Sequence, residues 1–351
     1  MNRIGTTRWQ RFAESKLVFP LIVLAVILLF DLIFDPGFFS LTVIDGHLFG
    51  NVVDIFRSGS TVMLLAIGMT LVVATGGVDL SVGAVMAISA SIAALLIDPN
   101  YKALTHDPNL SAVPLPLVFL ITLTVAALCG LWNGLLVAYG NIQPMVATLI
   151  LMIAGRGIAQ LITDGVRIQI FYEPFAFLGN GWAILPVSLY VVAIVFVVAW
   201  VLTRKTSLGM FIESVGINAR SSFYSGVNEK RVKLFAYMFC GLCAGMAGLV
   251  ASSNIRTSDA NNIGLNLELD AILAVVIGGT ALGAGGRFSL FAAIVGAAVI
   301  QAITTSMYAV GVAANALLAI KGVVVIIVIL LLSDQVRNAI RRLAAQRPKP
   351  V

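Results

Sequence analysis

Residues 64–83 read LLAIGMTLVVATGGVDLSVG. An apolar run of helical length, 60–74, stops at the pair Gly76 and Gly77, and a second apolar run, 81–97, begins four residues later. A helix that breaks at such a point and restarts is typical of transporters. Unwound backbone is tolerated inside a membrane only where protein buries it or where it lines a wet cavity. The stretch therefore predicts a membrane protein with a pathway beside the break.

Composition extends this prediction to the whole chain. Of 351 residues, 60% are apolar and 11% are charged, whereas soluble domains carry about 25% charged residues. Because a spanning helix needs about 20 apolar residues, the chain can supply about ten and has little left for a soluble catalytic domain. We expect an all-α polytopic fold from ten runs: 17–34, 60–74, 81–97, 114–139, 144–163, 185–203, 234–252, 271–282, 288–308 and 315–333.

Basic residues set the expected orientation. Lys and Arg concentrate in 1–16, 204–233 and 336–351, and positive segments stay cytoplasmic. Six runs separate the first segment from the second, and four separate the second from the third. Because an even number of spans returns the chain to the same side of the membrane, all three segments can face the cytoplasm. The sequence thus predicts a cytoplasmic basic N-terminus 1–16, a transmembrane domain 17–335 and a cytoplasmic basic tail 336–351. The first run lacks a small-residue cleavage pattern and is expected to be a retained span.

The central basic segment, 204–233, differs from the two tails. It has about 30 residues, which is long for a connector without a function, and its glycines surround a short stretch that can form a helix. We expect it to dock a cytoplasmic partner through Gly216, Asn218 and Arg220. Anchoring to anionic lipid is the alternative explanation for basic segments and suits the two tails.

An internal similarity supports a division into two halves. At an offset of 202 residues, the run before Gly76 and Gly77 matches the run before Gly278 and Gly279, and a new apolar run follows each pair. Both runs look short for a span. The pattern predicts parallel repeats, each with a mobile break near the pathway. Recurrence by chance, or a role of the glycines in close helix packing, is the alternative.

Two ionisable residues lie inside or next to apolar runs, where a charge in the membrane is energetically unfavourable. Asp79 follows the first glycine pair, where it can cap the next helix; a role in ion coupling would need a titrating carboxylate in a dry site. Arg156 lies inside the run 144–163. An ionisable residue in a span suggests function, but an arginine near a helix end can also bond to carbonyls of a neighbouring segment.

Aromatic and amide side chains suggest the cargo. Trp132, Asn133 and Tyr139 lie on one run, and Gln301 and Thr305 belong to a polar stripe on another. Such groups suit a neutral polyhydroxylated ligand, so we expect these five residues to line its path. Interhelical contacts for the stripe and a membrane-interface position for the aromatic residues remain open alternatives.

Several chemistries are not indicated. The sequence has no G-x-x-x-x-G-K-[ST] phosphate loop, so ATP hydrolysis would need a separate subunit. Three cysteines in apolar runs and two histidines suggest neither a disulfide framework nor a metal site. We therefore expect no catalytic residue, no bound cofactor and no nucleic-acid partner.

Several blocks together identify a family resemblance over about residues 45–335. The opening stretch resembles the signature of ribose-type monosaccharide permeases of ATP-binding-cassette importers. The blocks Ile142-Gln143-Pro144, Ala154-Gly155-Arg156-Gly157 and Asp259-Ala260-Asn261-Asn262 look most like the galactofuranose members. Where the family reads acidic or small residues and two alanines after Gly-x-Asn, this chain reads Ala219-Arg220-Ser221-Ser222.

The resemblance implies a function and partners. It implies a bacterial inner-membrane permease that moves a neutral monosaccharide, galactofuranose or a related furanose, by alternating access. A second permease chain, a cytoplasmic ATPase that uses ATP and Mg²⁺, and a periplasmic sugar-binding protein would complete the importer. The alternatives are a secondary transporter driven by an ion gradient, which needs an intramembrane titrating carboxylate, and an intramembrane enzyme, which needs a nucleophile and base or a metal set.

Overall fold

The computed structural model describes residues 17–34, 36–44, 47–99, 111–180, 185–283 and 285–313, with 316, 318–323, 326 and 327. The predicted cytoplasmic segments 1–16 and 336–351 lie outside the described residues. Of the tenth predicted run, 315–333, the residues that are described are helical.

Each of the other nine predicted runs contains a helix, and the described residues are mainly helical, which confirms the all-α polytopic fold. In chain order the helices are α1 (Val18–Phe34), α2 (Asn51–Ala74), α3 (Val82–Ile97), α4 (Leu115–Ala138), α5 (Pro144–Ile162), α6 (Glu173–Asn180), α7 (Val187–Arg204), α8 (Leu208–Ile217), α9 (Ala219–Tyr224), α10 (Glu229–Ile255), α11 (Leu267–Ile277) and α12 (Leu290–Ala309).

Six of these helices, α2, α4, α5, α7, α10 and α12, are long and apolar enough to cross a membrane. The apolar helices α1 and α3 are slightly shorter, with 17 and 16 residues. Pro116 lies in the first turn of α4 and Pro144 begins α5, positions where the missing amide hydrogen costs no helical hydrogen bond. The chain is thus a multi-pass membrane protein.

Two helices form the centre of the molecule. Helix α2 is buried almost continuously from Gly59 to Ala74, and it packs against α10, α11, α12 and α7. Helix α10 packs against α4, α2 and α3. By contrast, most of α4, α5 and α7 is not buried within the chain, and their apolar surfaces suit contact with lipid or another subunit.

Strand pairs are short and lie in the connections. A 3₁₀ helix (Pro36–Phe39) precedes β1 (Thr42–Ile44), which pairs with β2 (His47–Phe49) in an antiparallel hairpin. After α5, β3 (Ile168–Gln169) pairs antiparallel with β4 (Thr257–Ser258), which follows α10. The β3–β4 pair thus joins the connection that follows α5 to the connection that follows α10.

Helix α10 separates two faces of the molecule. Its 27 residues extend about 40 Å at 1.5 Å per residue, with α8 and α9 before its first residue and β4 after its last. We call these two ends the α8 face and the β4 face. The predicted docking segment 204–233 is therefore less of a loop than expected, since it contains α8, α9 and the first turn of α10.

The predicted start of the second run at residue 60 is wrong. Helix α2 begins at Asn51 and continues through Asp54 and Arg57 without interruption. Its 24 residues make it a full-length span rather than an undersized one. Of the two helices that precede glycine pairs, only α11, with 11 residues, is short.

Candidate functional site

The first break ends α2 in a defined backbone motif. Gly76 has φ +84°, its amide donates to the carbonyl of Val73 at 2.9 Å, and the amide of Gly77 donates to that of Val72 at 3.1 Å. This is a Schellman motif, which needs a left-handed residue that glycine adopts without strain.

The second break has the same motif. It lies one residue later than the internal similarity at an offset of 202 residues predicts. Gly279, with φ +78°, donates to the carbonyl of Val276 at 2.8 Å, and Thr280 donates to that of Val275 at 3.2 Å. Gly279 therefore corresponds to Gly76 at an offset of 203, and Gly278, with φ −65°, corresponds to Thr75.

The motif is not confined to the two breaks. Gly226 and Gly311 also have positive φ, and the same pair of amide hydrogen bonds ends α9 and α12. A single left-handed glycine therefore ends each of these four helices, and the second glycine of a pair is not required for the motif. The predicted mobility of the breaks stays a prediction, since helix-ending geometry alone does not establish it.

A buried polar cluster follows the first break. Asp79 Oδ1 accepts hydrogen bonds from the backbone amide of Ser81 at 2.9 Å and from its hydroxyl at 2.6 Å. The side-chain amide of Asn133 donates to Ser81 Oγ at 2.7 Å and to Asp79 Oδ1 at 3.4 Å. Asp79 thus orders the turn before α3 rather than the first amides of the helix itself.

Two further helices hold the same turn. The Tyr237 hydroxyl of α10 donates to the carbonyl of Val78 at 3.3 Å, and the backbone amide of Leu80 donates to Thr148 Oγ1 of α5 at 3.1 Å. With Asn133 on α4, three helices fix the segment between α2 and α3. Sequence reasoning missed Tyr237 and Thr148, because single polar side chains inside apolar runs give no signal of their partner.

The three residues on α4 that were predicted to line a path do not share one face, and their role in transport stays a prediction. The side chains of Trp132 and Tyr139 are 53% and 52% exposed, whereas Asn133 is completely buried. Residues seven apart share a helix face, but a neighbour is rotated by about 100°. Trp132 and Tyr139 therefore face outward, with Lys230 Nζ 5.2 Å from the Tyr139 ring centroid, while Asn133 points into the core.

The polar stripe on α12 lies apart from these residues. Gln301 Nε2 donates to Thr305 Oγ1 at 3.4 Å, and the Gln301 stem packs against Gly59 of α2. Helix α12 contacts α1, α2 and α11, whereas α4 contacts α3, α5 and α10. The five residues predicted to line one path thus belong to separate surfaces of the chain.

A polar cavity of about 310 Å³ adjoins the first break on the α8 face. Its walls are the break, the connection from α4 to α5, and the first turns of α10. The lining residues are Thr75, Gly76, Gly77, Val137, Asn141, Ile142, Gln143, Pro144, Lys233 and Tyr237. This cavity combines hydroxyl, amide and backbone groups at the point where the sequence predicted a pathway.

On the β4 face, Arg156 has a structural position. Its guanidinium Nη1 donates to the carbonyls of Ala260 at 3.0 Å and Ile263 at 2.5 Å, so it holds the connection between β4 and α11. Gln160, one turn along α5, bonds to the Asn261 side chain at 2.6 Å. Of the two alternatives for Arg156, the geometry therefore agrees with the one in which it binds carbonyls of a neighbouring segment.

Two carboxylates lie in the same region. In the connection after β4, the hydrogen bond from the Asn262 side chain, at 2.7 Å, lowers the pKa of Asp259 below its ordinary value. Glu268, in the first turn of α11, is buried against Gly83, leaving no room there for a Cβ. Arg156 is close enough to Glu268 to interact with its charge.

The predicted docking segment contacts the end of α2 and the connection between α11 and α12. Gly216, at the end of α8, packs directly on the carbonyl of Ala74 and the amide of Gly286, leaving no space for a Cβ. The Gly286 amide also donates to the Ala74 carbonyl at 2.9 Å. The ends of α2 and of the α11–α12 connection thus meet at one residue of α8.

The rest of the segment offers an exposed surface. Asn218 caps α9 by accepting from the amide of Ser221 at 2.9 Å, and Arg220 is exposed. Phe223 and Tyr224, 64% and 76% exposed, project from α9. We call Ile217, Arg220, Phe223 and Tyr224 the α9 patch. Two adjacent aromatic residues inside a basic segment are the sequence signal for this surface.

Comparisons with known proteins agree with this architecture. The family model described as branched-chain amino acid transport system / permease component matches residues 51–332. A galactofuranose transporter permease protein of Escherichia coli (strain K12) is 44% identical over 337 residues, covering 96% of this chain and 95% of the relative.

More distant relatives match over shorter lengths. A fructose import permease protein of Bifidobacterium longum (strain NCC 2705) is 38% identical, over 62% of this chain and 63% of its own. A ribose import permease protein of Escherichia coli (strain K12) is 31% identical, over 59% and 66%. No solved structure matches at a significant level. The resemblance to ribose-type permeases is confirmed, and the chain belongs to the branched-chain amino acid transport system / permease component family as a multi-pass transport permease.

Proposed function

We propose that this chain is the membrane-spanning subunit of an ATP-binding-cassette importer that carries a neutral monosaccharide, galactofuranose or a related furanose, by alternating access. The observation that carries the proposal is 44% identity over nearly the whole length to a galactofuranose permease. The family description mentions amino acids, but the three relatives above are named for sugars.

The polar cavity supports a neutral cargo. An amino acid carries a carboxylate and an ammonium group, and each needs an opposite charge when it leaves water. The charged lining residue is Lys233, and its Nζ lies 3.5 Å from Glu229 Oε2. A lysine whose charge is offset in this way suits hydroxyl groups better than a zwitterion.

The α9 patch supports a cytoplasmic ATPase as the partner. Aromatic side chains that are exposed outside the spanning helices mark interaction sites, and here they surround a basic residue. The partner would bind ATP and Mg²⁺, and this chain would bind no cofactor. The orientation that follows places the α8 face and both termini in the cytoplasm of a bacterial inner membrane.

The remaining subunits follow from the same proposal. A periplasmic sugar-binding protein would deliver cargo to the β4 face, where the connection between β4 and α11 is tied down by Arg156. The exposed apolar surfaces of α4 and α5 would contact lipid and a second permease chain. An ion-gradient mechanism has less support, because Asp79 is enclosed by its own hydrogen-bond donors.

Reconstitution tests the proposal. The chain is placed in liposomes with the ATPase and the sugar-binding protein, and uptake of labelled galactofuranose is measured. We expect uptake to require ATP, to stop with a non-hydrolysable analogue and to persist after ionophores collapse ion gradients. Excess ribose or fructose should compete better than leucine. Uptake that needs no nucleotide but fails with ionophores would reject the proposal, as would leucine as the preferred competitor.

A further inference from the structure

The polar cavity at the first break has a more specific role. We propose that it is a release site, where the sugar is held after it crosses the membrane and before it enters the cytoplasm. This inference rests on the proposed function, because the α8 face must be cytoplasmic. Three independent properties of the cavity support it: its lining, its volume and its contact with the docking segment.

The lining matches the chemistry of a sugar hydroxyl, which donates one hydrogen bond and accepts others. Asn141 and Gln143 are exposed to the cavity region and carry amide groups that can do both, and the Gln143 side chain is not used to cap α5. The Tyr237 hydroxyl is fully buried and donates to the Val78 carbonyl, so it holds the cavity wall in place and leaves recognition to the two amides. The site therefore offers donors and acceptors without a net charge.

The volume limits the size of the ligand. About 310 Å³ equals about ten water molecules at about 30 Å³ each, which suits one monosaccharide with few waters. A larger cavity of about 390 Å³ between α1 and α12 is lined almost entirely by apolar side chains, such as Ile303 and Met307. That cavity could not replace the water around a sugar, whereas the polar one could.

The backbone at the break can approach the ligand closely. A Cβ added to Gly76 would meet no atom within 4 Å, so the glycine faces open space rather than packed protein. Gly77, in contrast, lies directly against the Tyr237 hydroxyl. One side of the break is thus fixed by α10, and the other is open to the cavity.

The cavity is also connected to the docking segment through direct contacts. Ala74, which directly precedes the cavity residues Thr75 and Gly76, bonds to Gly286 and touches Gly216 of α8. A displacement of α8 by the ATPase therefore reaches the cavity wall through a single residue. This arrangement links nucleotide turnover to the space that would hold the sugar.

Thiol protection in the complete transporter tests the inference. Gln143→Cys places a reactive group in the cavity wall, and Ser207→Cys places one on the exposed start of α8 outside it. Both are labelled with a charged thiol reagent on the α8 face, with and without galactofuranose, after subtraction of the unmodified chain's background. We expect galactofuranose to slow labelling of Gln143→Cys several-fold and to leave Ser207→Cys unchanged.

A second pair of variants tests whether a side chain large enough to fill the cavity blocks the passage of the sugar. Gln143→Trp fills the cavity and should abolish uptake, whereas the same change at Met145, which is exposed on α5 and does not line the cavity, should leave uptake close to that of the unmodified complex. Equal labelling of Gln143→Cys with and without sugar, in liposomes that accumulate galactofuranose, would overturn the release site and leave the proposed function intact. So would protection of both cysteine variants. Absence of uptake by the unmodified complex would overturn the proposed function itself.

Discussion

Individual buried residues decide whether a polar side chain serves transport or structure. Asn133 was predicted to line a path, but its amide bonds to Ser81 and Asp79 in the core. Its neighbour Trp132 faces outward. A sequence cannot separate these two cases, because both residues lie in the same apolar run and differ only in the helix face they occupy.

Replacement of Asn133 by alanine should therefore lower stability rather than change sugar selection. Asn133→Ala removes a donor from a buried carboxylate and a buried hydroxyl, at a cost of about 1 to 3 kcal/mol. We expect a lower thermal unfolding midpoint in detergent and an unchanged apparent KM for galactofuranose. Trp132→Ala is the matched control and should unfold close to the unmodified chain. A raised KM at unchanged stability would return Asn133 to the transport path.

Arg156 supports a different prediction on the β4 face. Arg156→Met keeps an unbranched stem but leaves the carbonyls of Ala260 and Ile263, and the charge of Glu268, without the guanidinium. Hydrogen exchange of 256–266 should become at least several-fold faster. Gln160→Ala removes only an exposed bond to Asn261 and should have a smaller effect. Equal exchange in both variants would contradict the structural role of Arg156.

At the scale of elements, apolar runs predicted the existence of helices well and their limits less well. The start of α2 was placed nine residues late because Asp54, Arg57 and Ser58 read as a polar connector, although α2 is helical there and packs against α12 and the 3₁₀ helix. The repeat offset was wrong by one residue, because two adjacent glycines look alike in sequence and only φ distinguishes Gly278 from Gly279.

The candidate site was less predictable than the helices. The break at Gly76 was found from sequence because a glycine pair interrupts an apolar run. The residues that surround it come from α4, α5 and α10, and they lie 52 to 159 positions from their hydrogen-bond partners. Their convergence depends on which helices are neighbours, and a hydrophobic pattern contains no information on that choice.

The contact of α8 with the end of α2 and with the α11–α12 connection gives a prediction for coupling. Gly216→Ala adds a methyl group where the Ala74 carbonyl and the Gly286 amide already touch the glycine, so α8 must move away. We expect ATP hydrolysis to continue while sugar transported per ATP falls several-fold. Gly157→Ala, at a helical position with open space around the new methyl group, should transport normally. An unchanged transport ratio in Gly216→Ala would exclude α8 as the link.

At the scale of the whole molecule, α10 connects the two faces. Its first turn follows the α9 patch, and its last residue precedes Arg256, which forms a paired ion bridge with Glu173 at 2.7 and 3.0 Å. Between these ends it packs closely on α4, with Gly241 facing Gly130. Since a continuous helix of 27 residues moves largely as a unit, events on one face can reach the other without a chain of separate contacts.

The docking of the ATPase on the α8 face can be tested by reversing one charge. Arg220 is exposed beside Phe223 and Tyr224 and lies outside the spanning helices, so Arg220→Glu should not disturb insertion. A like charge placed against a complementary surface costs affinity and slows association, and we expect several-fold less ATPase to co-purify, with a matching loss of uptake. Arg167→Glu makes the same charge change on the exposed β4 face and should leave ATPase binding intact. Because both variants carry the same net charge, a loss in Arg220→Glu alone locates the interface at the α9 patch, and normal co-purification would place the ATPase elsewhere on the chain.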